Sequence, residues 1–221
     1  MSRCPLLYPA FLALAPLLGA QSVAVVENAS VRVLEALDHP HQKTALHKHE
    51  FNRVMIYLTA GDLDVTAEDG HTDHQHWKAG DVAWSPAGAL HVSENVGAAD
   101  LHIIEIEVRR PAPAASPKRD PGLDPVANDS KRNKLLFENP QVRVFRSALE
   151  VDGRERWHEH TGVGRVVVAL TPLAARVEYR KRQSTAMNGG PGDVFWSEGP
   201  VTHRATNLGS RPAEVVVVEV K

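Results

Sequence analysis

Hydrophobic and polar positions in this chain alternate in short runs. SVRVLEAL, RVMIYL, DLDVTAE, DVAW and LHIIEIEV are rich in β-branched residues and follow an opening VAVV. Turn residues such as Ala60-Gly61 and Asp69-Gly70 separate them, which is the signature of β-strands joined by tight turns. A second series follows: VRVFRSALEV, RVVVAL, ARVEYR, DVFW and EVVVVEV. No stretch carries the 3.6-residue period of an amphipathic helix over four turns. The pattern predicts an all-β chain.

The two series are copies. Glu27-Asn28 and Val31-Arg32-Val33 recur as Glu138-Asn139 and Val142-Arg143-Val144, a lag of 111. His47 and His49 recur at that lag as His158 and His160. One inserted residue then moves the lag to 112, which relates Arg53-Val54 to Arg165-Val166 and Gly80-Asp81-Val82 to Gly192-Asp193-Val194. Trp84-Ser85 matches Trp196-Ser197, His91 matches His203, Asn95 matches Asn207, and Glu107-Val108 matches Glu219-Val220. A single insertion over such a span marks an internal duplication. The copies are set at residues 23–108 and 134–221. Residues 109–133 hold five prolines among small and charged residues and read as a semi-extended linker. About 85 residues of short strands per copy predict a small barrel or sandwich.

Composition narrows the function. The 25 Lys and Arg against 27 Asp and Glu give a net charge of −2, so there is no basic field for a nucleic-acid backbone. The single cysteine, Cys4, excludes an internal disulfide, a thiolate metal site and a redox pair. Residues 1–20 have a short basic start at Arg3 and run through an apolar, proline-broken stretch to Gly19-Ala20. This is the pattern of a signal peptide cut near Ala20, and it predicts a secreted or periplasmic protein with no membrane association after cleavage.

The histidines carry the chemistry. His47 and His49 are two residues apart, so on a strand both rings share one face. His91 lies in GDVAWSPAGALHVSEN, beyond a turn at Ser85–Gly88 that ends one strand and starts the next. That stretch resembles the second cupin motif, G-x5-P-x-G-x2-H-x3-N, at Gly80, Pro86, Gly88, His91 and Asn95. HKHEFNRVMIYLTAG resembles the first cupin motif, with its H-x-H and later Gly. With the duplication, the chain resembles a bicupin: two tandem double-stranded β-helix (jelly-roll) barrels. The resemblance implies a metal site on His47, His49 and His91 and another on His158, His160 and His203. It also exposes two departures. Arg53 and Arg165 stand where the family carries its fourth ligand, a Glu, and in the second copy Glu198 and Pro200 replace the motif's Pro and Gly.

Three neutral imidazoles suit a divalent transition metal (Fe, Mn, Zn, Ni or Cu) and leave coordination positions open. Arg53, four residues after His49, is expected to face the same interior and clamp a small anionic ligand. A guanidinium also repels a dication, unless it is offset or paired with Glu50 or Glu105. Two readings therefore stand. One is a metal-dependent dioxygenase or isomerase with Arg53 as a catalytic residue, for which Glu105 and Glu107 are the available bases. The other is a non-catalytic, metal-free protein that binds small anions. Barrel edges also allow a homo-oligomer.

The remaining features read as structural. His39, His41, His71, His74 and His76 are expected at the surface, and His102 as a satisfied rim residue. Trp84 and Trp196 are expected in the core, and Asp81 and Asp193 in turns.

Overall fold

The computed structural model describes residues 21–221; the expected signal segment, residues 1–20, lies outside the described residues. The first barrel contains β1 (Gln21–Glu27), β2 (Val31–Asp38), β3 (Asn52–Tyr57), β4 (Gly61–Ala67), β5 (Thr72–Trp77), β6 (Val82–Ser85), β7 (His91–Asn95) and β8 (Leu101–Val108). They form a five-stranded sheet in the order β1-β2-β8-β3-β6 and a three-stranded sheet in the order β5-β4-β7. A single short helix, α1 (Pro125–Asn128), lies between the copies. The second barrel contains β9 (Asn133–Glu138), β10 (Val142–Leu149), β11 (His158–His160), β12 (Gly164–Ala169), β13 (Leu173–Tyr179), β14 (Thr185–Gly189), β15 (Val194–Glu198), β16 (Val201–Asn207) and β17 (Ala213–Val220). Its sheets run β15-β12-β17-β10-β9 and β11-β16-β13-β14, and every strand pair is antiparallel.

Strand alternation divides the side chains between two environments. On β3, Val54 and Ile56 point away from their own barrel, as do Ile104, Ile106 and Val108 on β8. They pack against Val166 and Val168 of β12 and Val216, Val218 and Val220 of β17 in one continuous core. The two large sheets thus lie back to back. The opposite faces of the same strands look into the barrels: Arg53, Met55 and Tyr57 in the first, Arg165 and Val167 in the second. Both faces of each central strand are buried, which is why EVVVVEV and LHIIEIEV read as nearly unbroken apolar runs.

The matched residues of the repeat do matched work. Asp81 and Asp193 accept backbone N–H bonds from Lys78 and Gly190. Gly80 and Gly192 adopt φ of 87° and 92° in the same turns, a region costly for any side chain. Asn95 donates to the carbonyls of Asp38 and Ala99, and Asn207 to those of Leu149, Glu150 and Arg211.

Beyond the repeat the copies diverge. The β4–β5 hairpin, residues 61–77, carries Asp62, Asp64, Glu68, Asp69 and Asp73 with no Lys or Arg. Its counterpart β13–β14, residues 173–189, carries Arg176, Arg180, Lys181 and Arg182 against one acid, Glu178. The end of the linker is docked rather than free. Asp124 caps α1, is buried, and holds Arg143 through two hydrogen bonds of 2.7 and 3.0 Å. No helix among the described residues is long and apolar enough to cross a membrane.

Candidate metal centres

In barrel 1, His47 and His91 face each other across an isolated antiparallel bridge, and His49 follows two residues later. In barrel 2, His158 and His160 are the two ends of β11, and His158 lies directly opposite His203 of β16. Within each trio, one ring nitrogen per histidine lies within 4.8 Å of the other two. The Nε2 atoms of His47 and His49 are 3.1 Å apart. Nε2 of His203 is 3.1 Å from that of His158 and 2.9 Å from that of His160.

Second contacts turn these rings. Nδ1 of His47 donates to the carbonyl of Ala45 at 2.8 Å, that of His91 to Ala89 at 3.0 Å, and that of His158 to Arg156 at 3.0 Å. A carbonyl only accepts, so each Nδ1 carries the proton and each Nε2 offers a lone pair to the centre. His160 is fixed by Glu219, whose Oε1 lies 2.5 Å from Nδ1. Lone pairs converging on one point repel unless a cation lies between them. An ion bound at about 2.0–2.1 Å places neighbouring nitrogens about 3 Å apart, which matches these separations. The donor set and its supporting shell therefore fit a divalent transition ion.

Electrostatics favour the neutral form of four of these rings. Burial, and then the charge of Arg53, brings His49 down to about 3. Burial also lowers His91. In barrel 2, burial and then Arg165 hold His160 and His203 well below the usual imidazole range. Burial pushes Glu219 up to about 7, against the pull of Arg143.

The two arginines are not equivalent. Nη1 of Arg53 donates to Glu105 at 2.6 Å and Nη2 donates to the Ser85 hydroxyl at 2.9 Å. Its charge is thus answered within the barrel, by one of the two glutamates named from the sequence. Arg165 is only 2% exposed and its Nη1 is buried without a partner. The cavities differ as well. That of barrel 1 measures about 680 Å³ and that of barrel 2 about 70 Å³.

No family model matches the sequence, and no curated protein matches it. Solved structures do match. AerE from Microcystis aeruginosa is similar at a TM-score of 0.61 with 10% identity, over 92% of this chain and 97% of that one. A variant of oxalate decarboxylase from Bacillus subtilis is similar at 0.65 with 12% identity, over 90% of this chain and 72% of that one. The chain has the bicupin fold. A cupin domain from Bordetella pertussis Tohama I also matches, with 25% identity over 42% of this chain and 95% of that one and a TM-score of 0.40.

The fold brings together all six histidines expected from the motifs, three to a barrel. The others stay apart from these centres. His39 pairs with Asp100 at the surface, and His41 is exposed. His71 is exposed in the β4–β5 turn, while His74 and His76 sit on the outer side of β5, bonded to Asp64 and Asp62. His102 is satisfied by Glu35 at 2.8 Å. Trp84 and Trp196 pack against the inter-barrel core, and Trp84 also lines the barrel 1 pocket.

Sequence reasoning missed three pocket residues. Tyr57 and Trp77 stack at 4.0 Å between ring centroids on the barrel 1 wall. Asp38, at the end of β2, is 9% exposed and lines the same pocket. Burial, and then the charge of Glu105, raises its carboxyl to about 6. The alternation of β2 placed Asp38 inward. Only the three-dimensional arrangement placed it beside Glu105.

Proposed function

We propose that this bicupin is a metal-dependent protein in which each barrel holds one divalent ion, on His47, His49 and His91 and on His158, His160 and His203. The observation that carries the reading is the convergence of three ring nitrogens in each barrel, with Nε2 pairs about 3 Å apart and the Nδ1 atoms of His47, His91, His158 and His160 held by acceptors. The Mn(II) centres of Bacillus subtilis oxalate decarboxylase support it as precedent on the same fold. Fe, Mn, Zn, Ni and Cu all suit the donor set.

Barrel 1 is the working barrel in this reading. Its pocket is the larger and takes a small anionic substrate against the Tyr57–Trp77 wall. When bound, the ion supplies Lewis acidity and open coordination positions. The chain supplies the rest. Arg53 holds Glu105 in place through its hydrogen bond, and its guanidinium faces the pocket as the anion-orienting group. Asp38 is the group able to hold or release a proton near neutrality. The reaction class is metal-dependent oxidation or isomerisation. The reading also places the mature chain outside the cytoplasm, cut after Ala20, which the mass of the mature N-terminus from an exporting host tests.

Elemental analysis of untagged protein decides the central point. The expected content is two metal equivalents, falling to one in His91→Ala and to one in His203→Ala. Metal-free protein from metal-supplemented growth, or an unchanged content in both variants, would refute the proposal. A specific feature favours the second reading, a metal-free anion binder, for barrel 2 alone: the unpaired Arg165 charge, which opposes a dication.

A further inference from the structure

The duplication supplies an internal control. In barrel 1 the Arg53 guanidinium is neutralised by Glu105, which stands opposite Met55 in the β3–β8 register. In barrel 2 the corresponding position on β17 is Val217, opposite Val167. The second barrel has kept the arginine and lost its carboxylate.

Arg165 has no substitute within the chain. No hydrogen bond or ion pair of its side chain occurs among the described residues, and its Nη1 is buried and unpartnered. Nearby acids are already engaged. Glu219 bonds His160, and Glu155 accepts the backbone N–H of Ala205 at 2.7 Å. Burial brings Arg165 down to about 10, which still leaves it charged at neutral pH. A buried guanidinium with a free N–H is costly unless an anion meets it.

The space beside it sets the size of that anion. Arg165, His158, His160 and His203 line the cavity of about 70 Å³, room for about two waters at the roughly 30 Å³ each occupies in the liquid. Phe145, Val167, Met187 and Val217 make much of the remaining wall apolar. Glu155 also lines it and would repel a second negative charge.

We infer that barrel 2 is a binding site for a small monocarboxylate of two or three carbons, whose carboxylate meets Arg165 as that of Glu105 meets Arg53. The apolar tail lies against the Val167–Val217 wall. The inference rests on the anionic-ligand half of the function proposed above, not on its metal half. Either can fail alone.

Calorimetric titration of the full chain with sodium acetate at fixed ionic strength tests it, before and after chelator treatment. The expected result is a site of one-to-one stoichiometry that persists after chelation; any second site confined to the untreated protein belongs to the barrel 1 ion. Oxalate, with its second charge, and benzoate, with its bulk, are expected to bind at least tenfold more weakly. Arg165→Gln should weaken acetate binding at least tenfold. Val217→Glu, which restores the internal carboxylate, should abolish it while the thermal midpoint falls no lower than that of the parent. Absence of acetate binding in the parent overturns the inference. So does binding that vanishes with the chelator yet survives Arg165→Gln, because the acetate would then be on the metal alone.

Discussion

At the scale of single residues, function turns on which charges are answered. Glu107 shows how finely this is set. It accepts two bonds from Arg32, at 2.7 and 3.0 Å, whereas its counterpart Glu219 bonds His160 and stands 3.8 Å from Arg143, which hydrogen-bonds Asp124 instead. Asp38 is the carboxyl whose answer is incomplete. Its value near 6 lies above the 3.8 of an unperturbed aspartate, so the folded state favours the protonated form. The stability this contributes is fully present below about pH 3.8 and is lost as pH rises through 6. Glu105 pushes the value up and His39 pulls it down, both less than burial does. Asp38→Asn is therefore expected to be more stable than the parent at pH 8, by up to about 3 kcal/mol, with the gap closing by pH 4. Thermal melts across that range check it, and a constant gap would contradict it. None of this was visible in the sequence, since the proximity of Asp38 to Glu105 depends on two strands distant along the chain.

At the scale of elements, most of the architecture was legible. Alternation marked the strands, and the H-x-H spacing together with the Gly88–His91 turn placed three rings side by side, although His47 and His49 lie on a bridged segment beside β7 rather than on a strand of their own. The duplication doubled every such inference. The linker was less legible, because proline content gave no hint that Asp124 would find Arg143. The asparagines of the motif prove to be structural fasteners. Asn207 joins the end of β16 to the carbonyls of Leu149, Glu150 and Arg211 and accepts from the N–H of Gly209. Asn207→Ala leaves these groups without their partner. It is expected to cost about 1–3 kcal/mol for each group left unsatisfied in the interior, read as a lowered urea midpoint. Metal content should stay at the parental value under native conditions, since no ligand is touched.

At the scale of the whole molecule, the two barrels share one core and so share one stability. Ile106 is fully buried and packs in that seam rather than within its own barrel. Ile106→Ala is expected to cost about 2–5 kcal/mol and to lower the unfolding of both barrels together as one transition. Two separate transitions in calorimetry would contradict this. Each pocket is lined in part by its own hairpin, β4–β5 in barrel 1 and β13–β14 in barrel 2. Those hairpins carry opposite charge, acidic over residues 61–77 and basic over residues 173–189. The net charge of −2 thus conceals an electric dipole running from one barrel to the other. Diffusing cations are drawn toward the first opening and anions toward the second before any contact is made, so an anionic substrate of barrel 1 is captured by short-range contact with Arg53 and the ion rather than by this field. Both capture rates should fall with ionic strength as the Debye length shrinks, so the fold sorts its visitors by sign at long range in dilute salt and loses that sorting in brine.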